Sequence, residues 1–334
     1  MSNAKYNARS RGWIAISAAA AIIVPWSLVH AGKTIQERRA ADPQGEVEIV
    51  NVSGRIEVDG WDRGEVEVSG SADDNVERVD VTSAGNRTTI RVVPRTRMGF
   101  GHDCEAHLVV HVPAKSAVMA SLVSSDFKVT GISGMLKVQS VSGNLSGDAG
   151  GDVVATAISG DVKLTARAAK MIEIKTISGD IRLTGGGGEV EITTVSGSAT
   201  LELADVARGR FKSVSGDVTA ALALGTEGQI DSESVSGSID VQFAATPAAE
   251  FDVQSFSGDI KNCFGPKPAE SHYGPGSRLM YKAGEGHARV RINTKSGDVR
   301  LCVKGMKNAE ASAPAPAVLL AQARVLRMRV PYVF

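Results

Sequence analysis

The sequence predicts an all-β chain folded as a single-chain β-solenoid with an irregular N-terminal β cap. Three observations carry that expectation. First, an apolar-Ser-Gly-Asp tetrapeptide recurs as Ile158-Ser159-Gly160-Asp161, Ile177-Ser178-Gly179-Asp180, Val214-Ser215-Gly216-Asp217 and Phe256-Ser257-Gly258-Asp259. Variants end in Asn144, Ser198 and Ser238, and Lys295-Ser296-Gly297-Asp298 closes the series. Second, the motif glycines at 143, 160, 179, 197, 216, 237 and 258 are separated by 17, 19, 18, 19, 21 and 21 residues. A period near 19–20 residues marks stacked copies of one small unit. Third, apolar and polar residues alternate on both sides of each motif.

The alternation defines the unit. Ahead of the glycine come Ile172, Ile174 and Thr176, or Val190, Ile192 and Thr194, or Val290, Ile292 and Thr294. Polar residues such as Glu173, Lys175, Arg291 and Asn293 lie between them. A period of two is that of a strand with one buried face. After the glycine, Val162 and Leu164, Ile181 and Leu183, and Ile239 and Val241 define a second short strand. Ser-Gly supplies the corner, because Gly accepts positive φ and Ser bonds nearby backbone. One such unit cannot bury its apolar face, whereas copies stacked about 4.8 Å apart build a continuous core. A sandwich or meander of hairpins is the alternative; the strict phase favours the solenoid.

Two rows remain to be placed. Small hydroxyl residues recur three before the glycine (Ser140, Thr176, Thr194, Ser213, Ser234, Ser255, Thr294), and stacked inside they would form a self-satisfying ladder. The residue two before the glycine is apolar in most copies. Lys295 at that position argues that the row points outward, while strict alternation across the corner argues that it points inward. Both readings stay open at this stage.

In chain order, residues 1–31 read as a signal peptide. Lys5, Arg9 and Arg11 precede the apolar run from Ile14 to Val29, and Val29-His30-Ala31 resembles a small-residue cleavage site. A retained anchor is the rival. The run is short for a span of about 20 residues. Residues 32–44 read as a linker. Residues 45–118 form the cap region, with one early unit (Val47, Ile49, Asn51, Ser53-Gly54, Ile56, Val58, Trp61) and further strands from Glu65, Val76, Thr88 and Ala106. Residues 119–305 form the repeat domain, and 306–334 an Ala/Pro-rich irregular tail.

Charge and cysteines bound the function. The chain has 37 basic and 37 acidic residues, and the first 31 residues hold three of the basic ones, so the remainder carries 37 − 3 = 34 against 37, a balance of −3. That balance argues against a nucleic-acid partner. Three cysteines fit an exported chain. Cys263 and Cys302 both lie five residues after a motif glycine. If the Gly265–Gly286 stretch is an inserted loop, their coils are neighbours with Cα atoms about 5 Å apart, within disulfide range. A Cys263–Cys302 bridge at the C-terminal end follows. Cys104 is left over, unpaired or paired between chains.

The repeats, the Gly60-Trp61-Asp62-Arg63 segment and the C-terminal motifs Phe256–Pro266 and Arg289–Asp298 together resemble a bacterial adhesin-like family of exported β-strand-repeat envelope proteins, a domain of largely unknown function. The likeness covers about residues 45–304. It implies an exported β-solenoid connected with adhesion or the cell envelope, and no catalytic residues.

The candidate interaction face follows from the register. Asp161, Asp180, Asp217, Asp259 and Asp298 share one phase, and Lys163, Arg182, Lys261 and Arg300 lie two residues on. Stacked carboxylates can bind calcium, but the Gly-Gly-x-Gly-x-Asp nonapeptide of calcium β-rolls is absent. Turn formation with charge compensation is the plainer reading. His102, Cys104, His107 and His111 suggest a metal only if the chain bends, since His107 and His111 on a strand lie about 13 Å apart. No cofactor and no metal site is expected.

The reading is therefore an exported, non-catalytic envelope module whose partner is a cell-envelope component or a surface glycan or protein. Membrane contact comes only through the N-terminal segment, if uncleaved. A carbohydrate-active β-helix enzyme using His272, Tyr273 and Arg278 on the long loop is one alternative. A periplasmic envelope-stress sensor with a retained N-terminal segment is the other.

Overall fold

In the computed structural model the described residues are 32–95, 104–270 and 276–305. The signal and tail readings, His102, His272 and Tyr273 lie outside them. Among the described residues every regular element is a strand, and the strands join one continuous sheet that does not close as a barrel. The chain is a β-solenoid.

At the N-terminal end lie β1 (Lys33–Ala40), β2 (Glu46–Trp61), β3 (Glu65–Ala72), β4 (Val76–Ala84), β5 (Arg87–Pro94), β6 (Glu105–Pro113) and β7 (Ala117–Ile132). The first complete coil is β2, which pairs in parallel with β7 over both of its halves. Its outer edge is covered by β5 on one half and β6 on the other. Antiparallel β4, β3 and β1 extend these covers outward. Covered edges are what a solenoid end needs to avoid edge-to-edge pairing. Most of the stretch read as a linker is thus the strand β1.

The repeats follow as β8 (Leu136–Ser142), β9 (Leu145–Ala149), β10 (Val153–Ser159), β11 (Val162–Ala166), β12 (Met171–Ser178), β13 (Ile181–Gly185), β14 (Gly188–Ser196), β15 (Ala199–Ser215), β16 (Val218–Ser236) and β17 (Ile239–Phe243). Strands before the corner stack in parallel on each other, as do strands after it. Between the two walls lies the core. Ile172 and Ile174 of one wall and Ile181 and Leu183 of the other are buried. Each such side chain contributes about 1.5–3 kcal/mol by leaving water.

The chain ends with a rung out of sequence. The remaining strands are β18 (Ala249–Ser257), β19 (Ile260–Asn262), β20 (Ala269–Glu270), β21 (Ser277–Lys282), β22 (Ala288–Ser296) and β23 (Val299–Val303). β22 pairs with β16 on one side and β18 on the other, and β23 lies between β17 and β19. The last coil in sequence is therefore the penultimate one in space. The chain skips a rung, builds 249–262, covers it with antiparallel β21, and returns to fill the gap. Phe243, Phe251, Phe264 and Tyr281 plug this end, with Phe251 stacked on Tyr281 at 4.8 Å. The Cys263–Cys302 disulfide ties the inserted rung to the terminal one, with Cα atoms 4.9 Å apart. The sequence expectation of neighbouring coils holds, but the coil carrying Cys302 lies inside the one carrying Cys263.

Surface charge favours the observed order at one row. Read along the stack, the outward residues six before each glycine are Glu173, Glu191, Arg210, Asp231, Arg291 and Asp252. Glu173 and Glu191 share a sign, and beyond them the signs alternate, with Arg210 3.9 Å from Glu191, Arg291 3.7 Å from Asp231, and Arg278 3.3 Å from Asp252. Stacking in sequence order would set Asp231 beside Asp252. Like charges directly opposite on neighbouring strands are destabilising.

Each motif glycine rests on the backbone of the rung below. A Cβ on Gly179, which has φ +120°, would collide with the Gly160 carbonyl, and Gly297 stands in the same relation to Gly237 and Gly258 to Gly297. Gly85, at φ +62°, has nothing within 4 Å of its virtual Cβ.

Two outcomes follow. Gly179→Ala should cost about 3 kcal/mol or more, against about 1 kcal/mol for Gly85→Ala; equal shifts in thermal unfolding would contradict the stacked corner. Arg291→Glu should lower Tm in dilute buffer by the equivalent of about 1 kcal/mol, with the deficit shrinking in about 0.5 M salt. A salt-independent deficit would remove charge as the reason for the order.

Candidate functional site

The corner carries every row singled out by the repeat, and the rows sort by direction. In β12 and β13 the pattern is Ile172 in, Glu173 out, Ile174 in, Lys175 out, Thr176 in, Ile177 out, then Ser178, Gly179 and Asp180 at the corner, and Ile181 in again. The step from Thr176 to Ile181 is odd, so alternation changes phase there. The positive φ of the glycine makes that change possible. The apolar row accordingly points outward: Val123, Val141, Ile158, Ile177, Val195, Val214, Val235 and Phe256 are all exposed, from 41% at Val195 to 66% at Phe256. Rung order places Lys295 between Val235 and Phe256. Half-buried Val52 continues the row at the other end.

Beside this ridge the wall is grooved. One groove of about 550 Å³ is lined by Val195, Val214, Val235 and Phe256 with Thr193, Lys212, Glu233 and Lys295. A second, of about 390 Å³, is lined by Val52, Val123, Val141 and Ile158 with Ser121, Gln139 and Thr156. The serines between ridge and glycine, among them Ser142, Ser159, Ser178 and Ser196, are exposed and uncharged.

The Asp row does structural work. The Asp161 carboxylate accepts the backbone N–H of Asp180 at 2.9 Å, Asp180 accepts that of Ser198 at 2.8 Å, Asp217 that of Ser238 at 2.8 Å, and Asp298 that of Asp259 at 2.9 Å. Asn144 serves Asp161 in the same way at 3.0 Å, which shows that the acceptor oxygen matters here and the charge does not. In the opposite direction Val162 N–H donates to the Asp180 carbonyl and Ile181 N–H to the Ser198 carbonyl, both at 2.9 Å. Corners whose neighbour offers Asp or Asn are thereby stapled twice, while Ser198 and Ser238 leave the main-chain bond alone. Asp259, on the terminal rung, receives nothing from beyond. The signal for this role was present in the sequence, in the Asn144 variant.

The cations of the candidate face divide into two groups. Lys163 and Arg182 are register neighbours, as are Arg300 and Lys261. Thr200, Thr219 and Asp240 separate the groups. The structure does not bring the nine residues into one continuous charged patch.

Inside the corner the hydroxyl row behaves differently from a self-bonded ladder. Thr176 and Thr194 bond each other at 3.2 Å, but Ser140, Ser213 and Ser255 donate to corner carbonyls of Ser142, Gly216 and Gly297. Nearby, Asn51 fills the same place in the first coil and reaches the Ser125 hydroxyl at 2.7 Å.

The other candidates find structural partners. His111 stacks on Trp61 at 5.0 Å, Arg63 covers the same ring at 4.7 Å, and the indole N–H donates to the Glu65 carbonyl. His107 is exposed beside Glu105. Cys104 is buried, with its sulfur 3.6 Å from the Asn75 carbonyl oxygen. Arg278 of the long loop belongs to β21 and pairs with Asp252. Burial pushes the Tyr281 phenol up from its ordinary value, against a smaller opposing pull from Asn262. Among the described residues no group of three or more His, Cys, Asp or Glu side chains could hold a metal ion.

No curated protein matches the chain. A structure described as a "putative adhesin" from Bacteroides fragilis is similar over 80% of this chain and 97% of its own, with 12% identity and a TM-score of 0.40. A "putative cell adhesion protein" from Clostridium sporogenes is similar over 81% of this chain and 100% of its own, with 11% identity and a TM-score of 0.29. A "putative lipid binding protein" from Parabacteroides distasonis is similar over 80% and 98%, with 13% identity and a TM-score of 0.32. The profile described as Toastrack DUF4097 matches residues 45–302, the whole span from the first coil to the inserted rung. The chain belongs to the Toastrack DUF4097 family.

Proposed function

We propose that this protein is an exported, non-catalytic module of the bacterial cell envelope that binds through a rigid, repeated face. The observation that carries the reading is the corner stripe: an exposed apolar side chain on successive rungs from Val123 to Val235 and again at Phe256, interrupted by Lys295, flanked by serines and then by the Asp row. A surface of this kind offers many equivalent weak contacts. Held on one stiff scaffold, they sum by avidity. A catalytic site needs the reverse, a single convergent cluster of unlike groups in a cleft.

Export is supported by the Cys263–Cys302 bridge, since such disulfides persist in oxidising compartments. The basic-then-apolar character of residues 1–31 points the same way. The partner on this reading is an envelope component or surface glycan or protein. The Lys163–Arg182 and Lys261–Arg300 pairs provide its polar contacts.

Co-sedimentation of the protein with isolated envelope fractions tests this. Saturable binding that persists in about 0.5 M salt, where the Debye length is roughly 4 Å, is expected. Combined Lys163→Glu and Arg182→Glu substitutions should weaken binding several-fold without changing thermal stability. Absence of binding to every fraction would refute the reading.

A further inference from the structure

We infer that the aliphatic ridge is a self-association surface, on which two copies of this chain pack antiparallel, ridge against ridge. The argument stands apart from the envelope reading and rests on spacing, charge and size along the corner stripe.

Spacing comes first. The ridge presents one side chain per rung, about every 4.8 Å. A strand laid along it would offer side chains on one face about every 6.8 Å, and a helix would offer them about every 5–6 Å. Neither stays in step over many rungs. A second copy of the ridge has the same period and interdigitates along its full length.

Charge and size then select the direction. In a parallel pair every ridge residue meets itself, so Lys295 would face Lys295. An antiparallel pair about a two-fold axis between Ile177 and Val195 brings Lys295 against the partner's Val123, with the exposed Ser124 and the partially exposed Asp126 beside it. Phe256, 66% exposed and the most prominent ridge residue, meets half-buried Val52. The flanking row is also compatible: Lys175 lies opposite Thr193, Lys212 opposite Thr156, and Glu233 opposite Gln139. No like charges oppose each other in either of these rows. In the Asp row on the other flank Arg55 meets Asp259 and Asp180 meets Ser198, while Asp161 faces Asp217 and Asp126 faces Asp298; a parallel pair would set every Asp of that row against itself. The antiparallel arrangement is the better matched of the two isologous choices.

The area sets the strength. The stripe is roughly 40 Å long at about 4.8 Å per rung. At about 11 Å wide it buries on the order of 900 Å² over both copies, close to the lower limit of about 1,000 Å² for a specific interface. A weak dimer is expected, with Kd in the micromolar range.

Sedimentation velocity of the full chain over a concentration series is the test. A monomer below about 1 μM and a dimer by about 100 μM are expected. Ile177→Glu with Val195→Glu should raise Kd at least 100-fold while leaving the circular dichroism unchanged, because both side chains are exposed. Direction is read separately by cysteine pairs. Val123→Cys with Lys295→Cys should give a covalent dimer, since within one chain these rungs are more than roughly 30 Å apart at about 4.8 Å per rung. A chain monomeric at 100 μM, or a dimer indifferent to the ridge glutamates, would overturn the inference. Cross-linking of Lys295→Cys to itself in place of the 123–295 pair would overturn the antiparallel arrangement, since in that arrangement the two copies of position 295 lie about seven rungs apart. Envelope binding retained by the monomeric variant would leave the envelope reading standing on its own, whereas its absence in a dimerising wild type would remove only that reading.

Discussion

At every corner one rung lies on the next with backbone against backbone, and the rest of the solenoid follows from that contact. Glycine is required there because a Cβ would meet the carbonyl below, as at Gly179 over Gly160. The contact leaves a corner N–H, and where the adjacent rung carries Asp or Asn its side-chain oxygen accepts it. The same turn shifts the phase of alternation, which keeps Thr176 and Ile181 both inside and turns Ile177 out. One local geometry thus fixes the core, the staple and the exposed ridge.

Because the corners are interchangeable, the stack does not by itself dictate the order of its rungs. Gly297 stacks on Gly237 as well as Gly216 stacks on Gly197. What distinguishes the inserted coil is its surface. Arg291 separates Asp231 from Asp252. Individual exposed pairs are worth little; here they act as a choice between two otherwise similar stackings. The disulfide then joins the inserted and terminal rungs.

The period, the corner and the two-walled core were legible from the motif spacing and from alternation such as Ile172-Glu173-Ile174. The Cys263–Cys302 pairing was legible from phase. The inserted rung was not, because a repeat identifies a coil without placing it; the 39-residue interval from Gly258 to Gly297 was compatible with either order. The direction of the ridge was undecided because the alternation rule breaks at a positive-φ glycine, and only Lys295 hinted at the answer. The turn-forming role of the Asp row was legible in the sequence, whereas the particular backbone N–H each carboxylate accepts was not. The candidate site accordingly lies three residues before the carboxylates, on the exposed apolar side chains.

Interchangeable corners permit a rung order that departs from the sequence, and that order is the most direct place to test the account. Cysteines introduced at Asp231 and Arg291, and in a second variant at Asp231 and Asp252, report which rungs touch. The account predicts a disulfide between positions 231 and 291 on mild oxidation and none between 231 and 252, whose rungs are separated by the inserted coil. A bridge between 231 and 252 with none between 231 and 291 would contradict it and restore the order of the sequence.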